Sequence, residues 1–295
     1  MQRHGEEALN WYQQTLHQGS FPNHSAFISV IQACCRIGDV EKGKQIHNQV
    51  VHQGLLAKNI ALGTALVDMY ARCGLLARAK EVLEELPLRN EVSWNALIAR
   101  HVQYEHGQEA LDCFQEMQKE GLCPNEVTFI SLLKACGSIG AIDKGDQIHD
   151  EIARRGLLNT NAVLGNALVD MYAKCGWLEK AQEVIEELPI RDVVSWSALI
   201  SGYGQQGQCC KALDCYECMQ NEGLFPDKVT FICILKACGV SGAILKGKQI
   251  HDKILHKGFL VNDVVVGTAL VDMYAKCGVL SKAYQVFEEL PFRNV

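Results

Sequence analysis

One octet, VDMYAKCG, occurs unchanged at residues 169–176 and 271–278, and as VDMYARCG at residues 67–74. Each copy begins 102 residues after the preceding one, and shorter strings such as KGKQIH keep the same interval, with one substitution in the middle copy. The 295 residues therefore hold nearly three copies of one pattern. Self-similarity at a fixed interval is typical of repeat architectures, in which neighbouring copies stack on one another.

Each copy divides into three segments, and each segment has the pattern of two helices. In one copy the segments have 35, 36 and 31 residues: 91–125, 126–161 and 162–192. Apolar residues in the third segment recur at spacings of three and four, which places them on one face of a helix. Gly176 is predicted to end its first helix, and Pro189 to stop its second. One such hairpin cannot bury its apolar face alone, whereas stacked hairpins can, so the sequence predicts an all-α solenoid.

Composition and charge bear on four questions: whether the chain spans a membrane, whether it carries a targeting peptide, whether it binds nucleic acid and whether its cysteines form disulfides. No apolar run approaches the roughly 18 residues of a membrane span, and the acid-containing N-terminus has the pattern of neither a signal peptide nor a transit peptide. A net charge of −6 counts mildly against a nucleic-acid partner, which usually selects a basic surface. Six of the fourteen cysteines recur at two positions of the pattern, and they are expected to be apolar fillers in a reducing compartment. These six are Cys34, Cys73, Cys136, Cys175, Cys238 and Cys277.

Three patterns imitate chemical sites without the required context. GYGQQG, beginning at Gly202, matches a dinucleotide-binding motif, but the copy 102 residues earlier has lost it and no βαβ unit surrounds it. Cys215 and Cys218, taken with the His-x-Glu at residues 4–6, imitate a zinc deaminase signature, but the pair lies within a predicted helix without further ligands. A redox-sensitive cysteine pair stays open as an alternative. No catalytic residue, cofactor or metal site is predicted, and one repeated histidine is interpreted as structural. Its copies are His47, His149 and His251.

Three strings carry a resemblance to a known family. They are VVSWSALISGYGQQG at residue 193, VTFICILKACGVSG at residue 229 and VVVGTALVDMYAKCG at residue 264. They resemble the P, L and S motifs of pentatricopeptide repeat proteins, in the plant PLS subclass. Tetratricopeptide repeats have a similar length, but Ile98 and Ile200 stand where their pattern requires glycine. The resemblance covers essentially the whole chain and implies a right-handed α-solenoid of helix-turn-helix repeats.

On this register the chain is a single array. Residues 1–23 are part of a P motif, followed by L 24–59, S 60–90, P 91–125, L 126–161, S 162–192, P 193–227, L 228–263 and S 264–294. Val295 opens another P motif. The chain is therefore expected to be an excerpt of a longer protein, with self-association through its truncated ends.

The resemblance also implies where a ligand binds. Members of this family bind single-stranded RNA, one base per repeat, and the fifth and last residues of each motif specify the base. The fifth residues of the S and P motifs are Thr64, Asn95, Asn166, Ser197 and Thr268, and the paired last residues are Asn90, Asn125, Asp192, Asp227 and Asn294. All are small, polar and able to hydrogen-bond to a base edge. The alternative is that they are merely polar residues at helix starts, where Asn, Ser and Thr are favoured as caps.

The family pairings give a predicted RNA sequence. Thr–Asn pairs with A, Ser–Asp with G, Asn–Asp with U, and Asn–Asn with C and less cleanly with U. Family arrays run parallel to RNA, so the chain is predicted to read 5′-A-C-n-U-G-n-A-3′ from residue 60 onward. In the L motifs the fifth residue is Ile28, Ile130 or Ile232, which cannot hydrogen-bond and should discriminate weakly. The second residue of a motif is expected to sandwich the base: it is Val92, Val163, Val194 or Val265, with Ala61 as a departure.

Two further expectations complete the functional hypothesis. A recurring set of cations is predicted to contact phosphates, with ordinary solvated side chains as the alternative. The set is Arg72, Lys134, Lys174, Lys236 and Lys276. The resemblance implies the targeting array of an RNA-editing factor that converts C to U in mitochondria or chloroplasts, with a deaminase domain or editing cofactor elsewhere in the full protein. This chain is predicted to bind and not to catalyse. The competing hypothesis is a helical-repeat scaffold for a protein or peptide, which gives no reason for matched fifth and last residues.

Overall fold

Helix pairs form wherever the sequence repeats its apolar spacing. The computed structural model describes residues 2–17, 22–57, 59–258 and 263–290. These residues form seventeen α-helices and one short 3-10 turn, and no strand occurs among them. The chain divides into two compact bodies, an N-terminal body (Met1–Ala135) and a C-terminal body (Cys136–Val295), with the division inside one helix.

After α1, which belongs to the partial P motif, the helices run in sequence as pairs of a first and a second helix. Those that begin in the N-terminal body are α1 (Gln2–His17), α2 (His24–Ile37), α3 (Val40–His52), α4 (Ile60–Arg72), α5 (Leu76–Glu85), α6 (Glu91–Gln103), α7 (Gly107–Lys119) and α8 (Glu126–Ile139). The C-terminal body holds α9 (Ile142–Arg154), α10 (Ala162–Lys174), α11 (Leu178–Glu187), α12 (Val193–Gln205), α13 (Cys209–Asn221), α14 (Lys228–Ser241), α15 (Ile244–His256), α16 (Val264–Lys276) and α17 (Leu280–Glu289). The 3-10 turn (Leu157–Asn159) follows α9.

First helices pack side by side within each body. In the N-terminal body α2 packs on α4 and α4 packs on α6, while α3, α5 and α7 each pair with the first helix before them. In the C-terminal body α10, α12, α14 and α16 form the same kind of row. The prediction of an all-α helical-repeat solenoid is confirmed. The row matters for function because it places equivalent residues of successive first helices next to one another.

The turn inside most hairpins contains a left-handed glycine, and the exception among the described hairpins is the turn between α6 and α7, where Glu105 has a φ of +62°. Gly176 adopts a φ of +82°, a left-handed conformation that glycine reaches without steric cost. Its N–H bonds to the carbonyl of Ala173, and that of Trp177 bonds to the carbonyl of Tyr172. These two bonds satisfy carbonyls that the end of α10 would leave free. Gly176 thus ends the first helix as the sequence predicts.

The repeated octet packs the hairpin. Met171 and Tyr172 are buried, and a Cβ on Gly145 would lie only 2.5 Å from Sδ of Met171, so glycine lets α9 approach α10 closely. The hydroxyl of Tyr172 lies 2.9 Å from Nδ1 of His149. His47 with Tyr70 and His251 with Tyr274 repeat this hydrogen bond at 3.0 Å and 2.9 Å. Burial lowers the pKa of all three imidazoles, and the interpretation of these histidines as structural is confirmed.

Candidate functional site

The last residue of a motif caps the first helix of the next motif. Asn90 is the N-cap of α6, Asp192 of α12 and Asp227 of α14. In each case Oδ1 accepts a hydrogen bond from the N–H three residues later, at 2.9, 3.1 and 2.8 Å. Oδ1 of Asn125 accepts the corresponding bond from the N–H of Thr128 at 3.1 Å. The capping interpretation is therefore correct for these residues, because each satisfies a backbone donor at a helix start.

Capping does not remove these residues from the predicted pairs. Nδ2 of Asn95 donates to Oδ1 of Asn125 at 3.2 Å, across 30 positions of sequence. The other two direct contacts join Nδ2 of Asn166 to Oδ2 of Asp192 at 2.9 Å, and Oγ of Ser197 to Oδ1 of Asp227 at 3.3 Å. The fold therefore brings together the side chains of three predicted pairs.

Two predicted pairs are not joined by a described hydrogen bond. Thr64 instead donates from Oγ1 to the carbonyl of Ile60 at 3.0 Å, within its own helix. Thr268 makes the same bond to the carbonyl of Val264 at 2.8 Å. Asn294, the predicted partner of Thr268, lies outside the described residues. Thr64 and its predicted partner share a groove, described below.

Each capping asparagine or aspartate uses Oδ1 for the helix cap and has a second polar atom, Nδ2 or Oδ2, available for another partner. Among the described residues, Nδ2 of Asn90 and Nδ2 of Asn125 have no hydrogen-bond partner. Oδ2 of Asp227 is likewise unused within that part of the chain. Oδ2 of Asp192 accepts a single bond, from Asn166, and a carboxylate oxygen can accept a second. The asparagines therefore present a donor and the aspartates an acceptor.

A row of exposed valines lies one residue into the first helices. The four predicted base-sandwiching valines are between 53% and 59% exposed, although valine is usually buried. Val127 and Val229 hold the same place in two L motifs and are 57% and 50% exposed. These two residues were missed by the sequence reasoning, although the register itself gave the signal, because both are second residues of their motifs.

An open groove is lined by several of the predicted residues of the N-terminal body. It has a volume of about 750 Å³. Its lining includes Thr64, Asn90, Val92 and Asn95, together with Ile28 from the preceding L motif. Ala61 and Arg72 also line it. Polar side chains, exposed β-branched side chains and two arginines thus face the same space. The second arginine is Arg100, and Asp68, which pairs with both arginines, lines the groove as well.

The predicted phosphate ligands fall into two classes. Arg72, Lys174 and Lys276 each form an ion pair with an aspartate one turn earlier: Asp68 at 2.8 Å, Asp170 at 2.7 Å and Asp272 at 2.7 Å. The hydrogen bond that Nε of Arg72 donates to the carboxylate of Asp68 raises the pKa of Arg72. Lys134 and Lys236 are exposed and have no ion-pair partner in the described part of the chain. Lys134 and Lys236 therefore carry the less neutralised charges.

The cysteine pair and the first glycine of the motif that imitates a nucleotide site both lie within helices. Cys215 is buried, which raises its pKa to about 12, whereas Cys218 on the same helix is exposed. No cluster of three or more His, Cys, Asp or Glu side chains able to hold a metal occurs in the described ranges, and the side chain of His4 lies outside them. Gly202 lies in α12, with helix before it and no strand. None of the described helices is long and apolar enough to span a membrane.

Comparison with known families decides the classification. The PPR repeat family model matches residues 89–138 and 191–239. The PPR repeat model matches residues 25–55, 64–90, 127–157, 166–193 and 268–295, so the matches together cover more than half of the chain. The chain belongs to the pentatricopeptide repeat (PPR) family.

Relatives of this PPR chain occur in Arabidopsis thaliana. A chloroplastic pentatricopeptide repeat-containing protein is 37% identical over 292 residues, covering 99% of this chain and 47% of the relative. The chloroplastic protein CRR2 is 36% identical over 293 residues, covering 97% of this chain and 44% of CRR2. A mitochondrial member is 33% identical over 289 residues, and the match covers 98% of this chain and 28% of the relative. The chain spans less than half the length of each of these relatives.

Solved structures show the same fold as this PPR chain. The crystal structure of PPR10 in complex with an 18-nucleotide psaJ RNA element matches with a TM-score of 0.78 at 19% identity, covering 97% of this chain and 42% of PPR10. The crystal structure of PPR10 from maize matches with a TM-score of 0.58 at 21% identity, and the match covers 97% of this chain and 46% of PPR10. At these identities the likeness establishes the fold.

Proposed function

We propose that this PPR chain binds single-stranded RNA in a sequence-specific manner, one base per repeat, and reads 5′-A-C-n-U-G-n-A-3′. The observation that supports the proposal is that each capping residue binds the helix start with one side-chain atom and presents its second polar atom. Backbone N–H groups hold Oδ1 of Asn90, Asn125, Asp192 and Asp227, so only the second side-chain atom is presented. That atom is a donor in asparagine and an acceptor in aspartate.

The presented atom explains which bases each pair accepts. An asparagine Nδ2 suits a ring-nitrogen acceptor, which A and C possess. An aspartate Oδ2 suits the imino N–H of G or U. The fifth residue then selects by size, because Ser197 and Thr64 are short and leave room for a purine, whereas Asn95 and Asn166 reach a pyrimidine. The exposed valines offer apolar surface for the faces of the bases.

The cellular role is also proposed. The names of relatives carry the words chloroplastic and mitochondrial, and PPR10 was crystallised with RNA. These findings support an organellar RNA-binding role, and we place this chain as the targeting array of a PLS-type C-to-U editing factor. Its contribution is recognition, while a deaminase domain or editing cofactor would supply the chemistry.

One substitution tests the register at a single atom. Asp192→Asn keeps the size and the N-cap, since Asn and Asp cap helices about equally well, but replaces the presented acceptor with a donor. Preference at the fourth base should therefore move from U toward C. A good polar contact to a base edge is worth roughly 1–3 kcal/mol in DNA readout, so the U-to-C ratio of affinities should change about tenfold or more. Binding titrations with four RNAs that differ only at this base measure it.

The matched control is the equivalent change in the next motif. Asp227→Asn should shift the fifth base from G toward A and leave the fourth base alone. An unchanged U-to-C ratio in Asp192→Asn would refute the assigned register.

A further inference from the structure

A buried threonine joins the base-specifying pair at two places in the chain. Thr128 is the third residue of α8, and Thr230 is the third residue of α14, and both are fully buried. Oγ1 of Thr128 donates to Oδ1 of Asn95 at 2.6 Å. Oγ1 of Thr230 lies 2.5 Å from Oγ of Ser197 and donates to Oδ1 of Asp227 at 2.8 Å. Each hydroxyl thus touches the fifth residue of the motif before it.

The equivalent residue after an S motif behaves differently. Oγ of Ser93 donates to the backbone carbonyl of Asn90 at 2.8 Å, and Oγ of Ser195 to that of Asp192 at 2.9 Å. Both serines are buried, but neither forms a described hydrogen bond to a fifth residue. Oδ1 of Asn166 is accordingly buried without a partner among the described residues. Within the part of the chain that the structure describes, the hydroxyl link to the fifth residue therefore occurs at two junctions, and at both an L motif follows a P motif.

We propose that Thr128 and Thr230 are positioning residues that set the hydrogen-bonding character of the base-reading pair before them, an inference that rests on the proposed RNA readout. Thr128 occupies Oδ1 of Asn95, and Nδ2 of Asn95 is directed to Asn125. The groups left for a base are N–H donors, namely Nδ2 of Asn125 and the second N–H of Asn95. Two donors match the O2 and N3 acceptors of cytosine, whereas uracil has N–H at N3. Thr128 therefore favours C over U.

Thr230 imposes the opposite character on its pair. The carboxylate of Asp227 is the stronger acceptor and lies 2.8 Å from Oγ1 of Thr230, so the single proton of Thr230 is assigned to it. The oxygen of Thr230 is then left to accept the proton of Ser197 at 2.5 Å, a contact in which either hydroxyl could be the donor. Although Ser197 is only 6% exposed, the hydrogen-bonding capacity that its Oγ would retain for a base is that of an acceptor, beside the unused Oδ2 of Asp227. Two acceptors match the N1–H and N2 amino group of guanine. Adenine has an acceptor at N1 and no amino group at C2, so Thr230 favours G over A.

Removing only the hydroxyl tests the proposal. Thr128→Val keeps the shape of the side chain but leaves Oδ1 of Asn95 free to accept from the N3–H of uracil. The preference for C over U at the second base should fall by about threefold to tenfold, the range of one net hydrogen bond. Thr128→Ser retains the hydroxyl and should restore the preference. Binding titrations with C or U at this base measure both variants, and base preference elsewhere should not change.

Ser93→Ala serves as the matched control, because it also removes a buried hydroxyl at the third residue of a first helix. It should lower thermal stability and leave the preference at the first and second bases intact. Thr230→Val should lower the preference for G over A at the fifth base. A C-to-U ratio unchanged in Thr128→Val, or affinity lost equally for every RNA, would overturn the proposal and leave the threonine purely structural. A wild-type chain without sequence preference would instead overturn the proposed function, and this inference with it.

Discussion

The last residue of a motif both caps a helix and is proposed to contact a base, and this combination restricts which amino acid can occupy the position. Asp192 holds the first turn of α12 with Oδ1 and presents Oδ2 toward the pair. Serine or threonine would cap the helix, but neither has a second polar atom to present. Only asparagine and aspartate combine both properties at similar capping strength. Readout can therefore change between donor and acceptor without loss of the helix start.

Removing the charge of a single lysine should weaken the binding of every RNA to the same degree, whatever its sequence. Lys236 has no ion-pair partner among the described residues, whereas the charge of Lys174 is shared with Asp170 at 2.7 Å. Lys236→Ala should therefore lower the slope of log affinity against log salt concentration by about one, as expected for one lost phosphate contact. Lys174→Ala should lower it less. Affinity titrations at several salt concentrations measure both slopes.

Asp170→Asn provides the control for this comparison, since it frees Lys174 without adding a cation. The variant should bind RNA more tightly, with a steeper salt dependence. Equal slopes in the wild type and in Lys236→Ala would remove Lys236 from the set of phosphate contacts.

Close packing of helices explains one of the three glycines that imitate a nucleotide-binding motif. A Cβ on Gly202 would lie 2.6 Å from Cδ2 of Leu178 and 3.0 Å from Cβ of Ala173. Gly204 has open space around it, with no atom within 4 Å of an added Cβ. Gly207 adopts a φ of +72° in the turn that follows α12. Packing and turn geometry therefore account for Gly202 and Gly207, while nothing in the structure explains Gly204.

Alanine at two of these positions should have opposite effects. Gly202→Ala forces neighbouring helices apart and should lower the free energy of unfolding by about 1–3 kcal/mol. Gly204→Ala lies in the same helix without a steric conflict and should raise it by about 0.5–1 kcal/mol, since glycine is a poor helix former. Urea denaturation followed by circular dichroism compares the two variants. Similar changes in both would show that α12 does not pack as described.

The sequence could predict most of the architecture because the information is periodic. The interval between copies and the hairpin pattern follow from comparing one copy with the next, whereas the choice of the fifth and last residues came from the resemblance to the family. The ion pair between Asp68 and Arg72 was missed although its spacing of four residues is a known helical signal. The link from Thr128 to Asn95 could not be predicted, because it joins residues 33 positions apart through a rotamer that only packing fixes. The orphaned Oδ1 of Asn166 is equally a consequence of packing.

Selection from a random RNA pool on the purified chain tests the readout most directly, because it assumes no target. Circular dichroism of the same sample should first show an almost wholly helical protein. The selected RNAs should converge on 5′-A-C-n-U-G-n-A-3′, with strong constraint at the five named bases and little at the two n positions, where isoleucine occupies the fifth residue. Convergence on a different spacing, or no convergence by a folded chain, would contradict the pairing of fifth and last residues as the basis of recognition.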